Sequence, residues 1–120
     1  MPTQTSEEID QLIRTVYERF NARDIDGVLE LLRSDVEWAN GVEGGFIQGH
    51  EALREYWTQQ WKLIDPQVEP TAIDIAPDGR VVVSVAQTAR DLDGEVIVDG
   101  LLAHIYTLVD GQIARMEIVE

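Results

Sequence analysis

Side chains that could move protons near neutral pH are scarce in this chain. It contains two histidines and no cysteine, so thiolate nucleophiles, disulfides and cysteine-held metal or iron–sulfur sites are excluded. Within the stretch read below as strands, the polar residues that could serve a site are Asp99, His104, Gln87 and Arg115. His104 is the one histidine of that stretch, and an imidazole near its ordinary pKa works as acid or base at physiological pH. Any proton transfer therefore falls to Asp99, His104 or, on the first helix, Tyr17. His50 stands at the start of a helix and reads as a capping or surface residue. The two histidines lie far apart with no ligand-spaced group around either, so no metal and no other cofactor is implied.

A second set of residues could bind rather than react. Trp38, Tyr17, Tyr56, Trp57 and Trp61 supply aromatic walls, and Asn40 and Gln87 supply neutral polar groups. That is the make-up of a small-molecule pocket. Taken singly, each aromatic residue also fits an ordinary core.

The elements that must position these groups follow from periodicity. Ile9, Leu12, Ile13, Val16, Tyr17 and Phe20 recur at the spacing of a helix with one buried stripe, and Thr5 or Ser6 can cap it, with Thr5 and Glu8 at capping-box distance. Asp24 is placed to cap a second, short helix carrying Ile25, Val28, Leu29 and Leu32. A short strand, Val36 to Ala39, precedes a glycine loop at Gly41, Gly44 and Gly45, and Phe46 to Gln48 leaves it extended. A third helix opens at Gly49-His50-Glu51, carries Leu53, Tyr56, Trp57, Trp61 and Ile64 on one face, and ends at Asp65-Pro66.

Beyond that point the period drops to about two residues. Turn signals at Pro77-Asp78-Gly79, Asp91-Leu92-Asp93-Gly94 and Asp110-Gly111 divide four antiparallel strands: Val68 to Ala76, Arg80 to Arg90, Glu95 to Val109 and Gln112 to Val119. Gly100 falls inside the third of these, where a strand glycine marks either a bend or bulge or simply a weak point. Helices followed by a meander give an α+β layout with the helices covering one sheet face.

Length and composition agree. A chain of 120 residues, 44% hydrophobic and 27% charged, fits one folded domain and is far from the signature of disorder. With 9 basic against 23 acidic residues, the formal charge is −14. That balance repels phosphate backbones and anionic membranes, so neither nucleic acid nor a membrane is expected as a partner. No apolar h-region and no span-length apolar run is present, which makes the cytoplasm the expected compartment.

Four phrases in order now carry a resemblance: Tyr17-Glu18-Arg19-Phe20-Asn21-Ala22-Arg23-Asp24, Asp35-Val36-Glu37-Trp38, Phe46-Ile47-Gln48-Gly49-His50-Glu51-Ala52-Leu53, and His104-Ile105-Tyr106-Thr107-Leu108-Val109-Asp110-Gly111-Gln112-Ile113. Over residues 1–120 the chain resembles a single domain of the nuclear transport factor 2-like superfamily, in its SnoaL-like or ketosteroid isomerase-like branch. The resemblance implies a cystatin-like roll: a cone-like, curved antiparallel sheet packed against three N-terminal helices, enclosing an apolar cavity. It also implies a homodimer packed through the outer sheet face.

It does not imply one chemistry. Ketosteroid isomerase-like catalysis needs a carboxylate base, plus a tyrosine and a protonated aspartic acid as oxyanion hole; aligned on the phrases above, these positions fall on Trp38, Val16 and Ala103. An epoxide hydrolase of the limonene type wants paired pocket carboxylates, and one of these falls on Ile118. Both catalytic sets are missing.

The resemblance turns Leu101, Ala103, Ile105 and Thr107 inward and makes Ala103 and Met116 pocket residues. Alternation then sends His104 and Tyr106 to the outer, dimer-facing side. Asp99 lies across Gly100, where a bulge would reverse its facing. The expected function is binding of a small apolar metabolite between sheet and helices, with isomerase, cyclase or hydrolase-type acid/base activity on the groups above; the alternative is a non-enzymatic carrier or dimerisation module.

Overall fold

A computed structural model describes residues 6–40 and 44–119. Thr5, proposed above as a cap, and Gly41 of the glycine loop lie outside the described residues. The helix α1 (Ser6–Asn21) buries Ile9, Ile13, Val16 and Tyr17, the stripe its periodicity requires. The short α2 (Ile25–Leu29) is capped by Asp24, whose carboxylate accepts from the Gly27 backbone N–H at 3.0 Å. Leu32, assigned above to that helix, instead begins a strand, β1 (Leu32–Ala39). A short β2 (Phe46–Gln48) pairs antiparallel with it.

Gly49 adopts a φ of 88°, a conformation only glycine takes at little cost, and turns the chain into α3 (His50–Leu63). Asp65-Pro66 was expected to end this helix in a break. The helix runs directly into β3 (Ile64–Ile75), and Pro66 sits in the strand. β3 is the last strand of the sheet order, so its outer edge tolerates a missing N–H. Then follow β4 (Val81–Asp91), β5 (Val96–Val109) and β6 (Gln112–Val119).

The six strands form one sheet in the order β2-β1-β6-β5-β4-β3. All pairings are antiparallel except β1 with β6, which run parallel with Trp38 beside Met116. Three helices lie N-terminal to the long strands, as an α+β roll requires. Their apolar faces and the inner sheet face share one core, which includes Ile13, Val36, Leu53, Val81, Val83 and Ile113.

Two side chains lock helices to strands. The Asn21 amide donates to the Val68 carbonyl at 2.7 Å and accepts from the Val68 N–H at 3.0 Å, standing in for a strand neighbour at the end of α1. The His50 ring meets the Leu32 carbonyl through Nε2 at 3.0 Å; it ties α3 to β1 rather than capping its own helix.

Gly100 marks no bulge. It pairs in regular register with Gln87, and the irregularity of that ladder lies between Ala89 and Arg90.

Candidate functional site

The inner rows of β4 and β5 face each other as Val81 with Tyr106, Val83 with His104, Val85 with Leu102, Gln87 with Gly100 and Ala89 with Val98. Near the helix-covered end this row is closed by packing. Toward Gln87 and Val98 it opens into a cavity of about 390 Å³ between the sheet, α1, α3 and β3. Trp38, Trp57, Phe20 and Tyr56 wall it, with Met116 and Ile118 on its floor. The Trp38 and Trp57 rings meet edge to face at 5.4 Å, a geometry that favours aromatic pairs. A second depression of about 510 Å³ lies along α1 between Glu7 and Leu31; it is shallow and open, and its charged groups, Glu7, Glu8 and Arg19, stand at the surface of the helix.

At the inner end of the cavity three polar side chains form a chain. The Tyr106 hydroxyl contacts the Tyr17 hydroxyl at 2.8 Å, and the Tyr17 hydroxyl contacts His104 Nδ1 at 2.6 Å. The Tyr17 and His104 rings lie nearly parallel, with an interplanar angle of 10°. All three residues are deep: Tyr106 is 0% exposed, Tyr17 3% and His104 8%. Burial sets their protonation. It depresses the His104 imidazole to about 4, so the ring is neutral at pH 7. It pushes the Tyr17 phenol far above its ordinary value, with the neighbouring Tyr106 adding to the shift. Tyr106 is raised too, by burial, against a smaller opposing effect of its hydrogen bond with Tyr17. The chain therefore holds two neutral phenols and a neutral imidazole.

His104 and Tyr106 thus face inward, not toward the outer side: Leu108 pairs with the buried Ile113, and unbroken alternation along β5 carries the same facing to Tyr106 and His104. β5 and β6 pair as Leu108 with Ile113 and Thr107 with Arg115, which leaves Ala114 as an extra residue on β6. Ile113 and Met116 both face in although three positions apart, so parity counted through the closing hairpin does not carry over. Met116 lies opposite Tyr106 and lines the cavity. Ala103 sits on the outer face, outside the cavity. Asp99 pairs with Thr88 on that same outer face and is exposed, away from any chemistry in the cavity.

Tyr17, Trp38, Tyr56, Trp57 and Gln87 do line the cavity. Trp61 and Asn40 do not. Trp61 stacks behind Trp57 at 6.0 Å, with the Arg23 guanidinium 4.9 Å from its ring; Asn40 joins the turn to Gly45 through its backbone N–H at 2.9 Å. Arg115 is engaged by Glu117 and Glu37, at 2.8 and 3.5 Å. Among the described residues, no carboxylate lines the cavity, and no group of three or more His, Asp or Glu is arranged to hold a metal.

Sequence reasoning missed Tyr106. A signal was present: the α1 stripe buries Tyr17, a buried phenol needs a partner, and His104 and Tyr106, two apart on one strand, share whichever face meets it.

The profile of the SnoaL-like domain matches residues 13–116. The chain belongs to that family, within the nuclear transport factor 2-like superfamily. Among solved structures, TerC, co-crystallized with polyporic acid, superposes with a TM-score of 0.81 at 28% identity, over 95% of this chain and 91% of TerC. SalBIII, an epoxide hydrolase/cyclase-like enzyme with a role in pyran ring formation in the polyether salinomycin, gives 0.83 at 20% identity, over 98% and 93%. A cystatin fold protein from Novosphingobium aromaticivorans gives 0.75 at 17% identity, over 98% and 100%. These likenesses confirm the SnoaL-like roll. A comparison with curated proteins finds no match. No helix among the described residues is long and apolar enough to cross a membrane.

Proposed function

We propose that this SnoaL-like domain binds a flat, largely apolar small molecule between Trp38, Trp57 and the inner face of β4 and β5, with His104 and Tyr17 as the groups that meet its polar end. The observation that carries this reading is a buried Tyr106–Tyr17–His104 chain opening onto an aromatic-walled space of about 390 Å³. Flat aromatic walls favour a flat ligand through stacking and area burial. The co-crystallization of the similar TerC with polyporic acid supports the same chemical class. Acid/base work, where it occurs, falls to His104 and Tyr17. A carrier without catalysis is the second reading, favoured by the lack of any carboxylate along the lining; recovery of a bound ligand unchanged after prolonged incubation distinguishes it from an enzyme.

The reading extends to assembly. Leu101, 79% exposed, lies with Val119 on the outer sheet face, and we assign that apolar face to a second copy of this chain.

The pocket is tested by thermal unfolding with polyporic acid. A ligand that binds only the folded state raises the melting temperature, by about 2.7 kcal/mol of stability at a hundredfold excess over Kd. Gly100 supplies the control: it lies in the inner row between Val98 and Leu102, and a Cβ there would meet nothing within 4 Å. Gly100→Leu, between the cavity-lining Val98 and Leu102, narrows the space and lowers the ligand-induced rise without lowering the melting temperature of the free protein. No rise in the unsubstituted protein contradicts the pocket reading.

A further inference from the structure

The buried hydroxyls leave little freedom in how hydrogens run along the chain of three. Tyr106 is closed to solvent, and its hydroxyl has one hydrogen-bond neighbour, the Tyr17 hydroxyl. Tyr17 has two, Tyr106 and His104 Nδ1. If Nδ1 carried the proton and donated to Tyr17, then Tyr17 would donate to Tyr106. The Tyr106 hydrogen would then have no acceptor among the described residues, a cost that folded proteins avoid. The opposite order satisfies every hydrogen: Tyr106 donates to Tyr17, Tyr17 donates to Nδ1, and Nδ1 accepts.

That order fixes the rest of the ring. A neutral imidazole that accepts at Nδ1 carries its hydrogen on Nε2. His104 is 92% buried by its 8% exposure, it lines the cavity, and no hydrogen bond to Nε2 is formed within the described residues. We propose that the two tyrosines lock His104 as an Nε2–H donor to the cavity, so that the site selects ligands presenting a carbonyl oxygen, a ketone or quinone on a flat ring system.

The alternatives fit less well. An ammonium brings only donors to a donor. A carboxylate would be stripped of water among Trp38, Trp57 and Phe20 with one hydrogen bond in return. A hydroxyl can accept, but brings a hydrogen of its own that needs an acceptor. A second neutral polar group, Gln87, stands four residues along β4 from Val83, the partner of His104, or about 13 Å at strand spacing. Val85 and Leu102 lie between them, so the preferred ligand is apolar in its middle.

This inference rests on the pocket reading above, and a matched pair separates the two. Fluorenone and fluorene share one ring skeleton and differ by a carbonyl in place of a methylene. Titration into the intact protein is expected to show fluorenone binding about three- to tenfold tighter, the range of one net hydrogen bond, and His104→Phe brings the two affinities together. Equal affinities in the unsubstituted protein overturn the donor assignment and leave the pocket standing; binding of neither compound overturns both. Nitrogen NMR of the ligand-free protein gives an independent reading, with pyridine-like Nδ1 and pyrrole-like Nε2 at His104 expected. In Tyr17→Phe the lock is lost and both tautomers populate. A pyridine-like Nε2 in the unsubstituted protein overturns the proposal.

Discussion

The two faces of β5 look alike in sequence and behave oppositely in the structure. One carries Val98, Leu102, His104 and Tyr106; the other carries Asp99, Leu101, Ala103 and Ile105. Each is apolar for most of its length, yet the first lies under helices and holds the only histidine among the described sheet residues, while the second is exposed at Leu101. Where one sheet face is polar, alternation names the buried one at once. Here both faces are apolar, and alternation says which residues go together without saying which set is inside.

Substitution on the two faces is the sharpest way to separate them. Tyr106→Ala removes a fully buried ring that touches Tyr17, Trp38 and His104 and leaves the Tyr17 hydroxyl short of a partner; a loss of about 3–5 kcal/mol is expected from chemical denaturation. Leu101→Asp, one face away, costs the monomer under about 1 kcal/mol, and instead lowers the mass measured by light scattering to that of one chain. Equal destabilisation by the two changes would erase the distinction between the faces.

The next largest effect is pH dependence confined to the inner face. His104 stays neutral in the fold down to about 4, whereas in the unfolded chain it protonates near its ordinary value of 6.5. Between those values the unfolded state binds the extra proton. Stability from this group is complete above about pH 6.5, falls as pH drops, and levels off below about 4, a total of about 3 kcal/mol. Stability curves of the protein and of His104→Gln, compared across that window, should differ by this slope. Parallel curves would mean that the ring is not buried as a neutral base.

Much of this was legible beforehand. The α1 stripe, the Asp24 cap, the hairpin turns and the α+β order all follow from local spacing, because local spacing causes them. The facing of His104 did not, because both faces of β5 are apolar and a parity count from Met116 back through the hairpin is offset by one extra residue, Ala114, on β6. A bulge is a property of two strands together, and no one-strand pattern records it. The same blindness placed Asp99 and Ala103 among site candidates. Trp61 was drawn in for a different reason: it shares a helical face with Trp57, but one turn further along α3 it stacks behind Trp57 and reaches Phe20 and Arg23 instead of the cavity.

The inner-face account is tested most directly by mapping where a ligand lands. Fluorenone added to isotopically labelled protein should shift the indole signals of Trp38 and Trp57, the methyls of Val98 and Leu102, and the ring of His104, while the methyls of Leu101, Ala103 and Ile105 stay in place. Shifts gathered on Leu101 and Ile105, or along α1, with Trp38 and His104 unmoved, would contradict it.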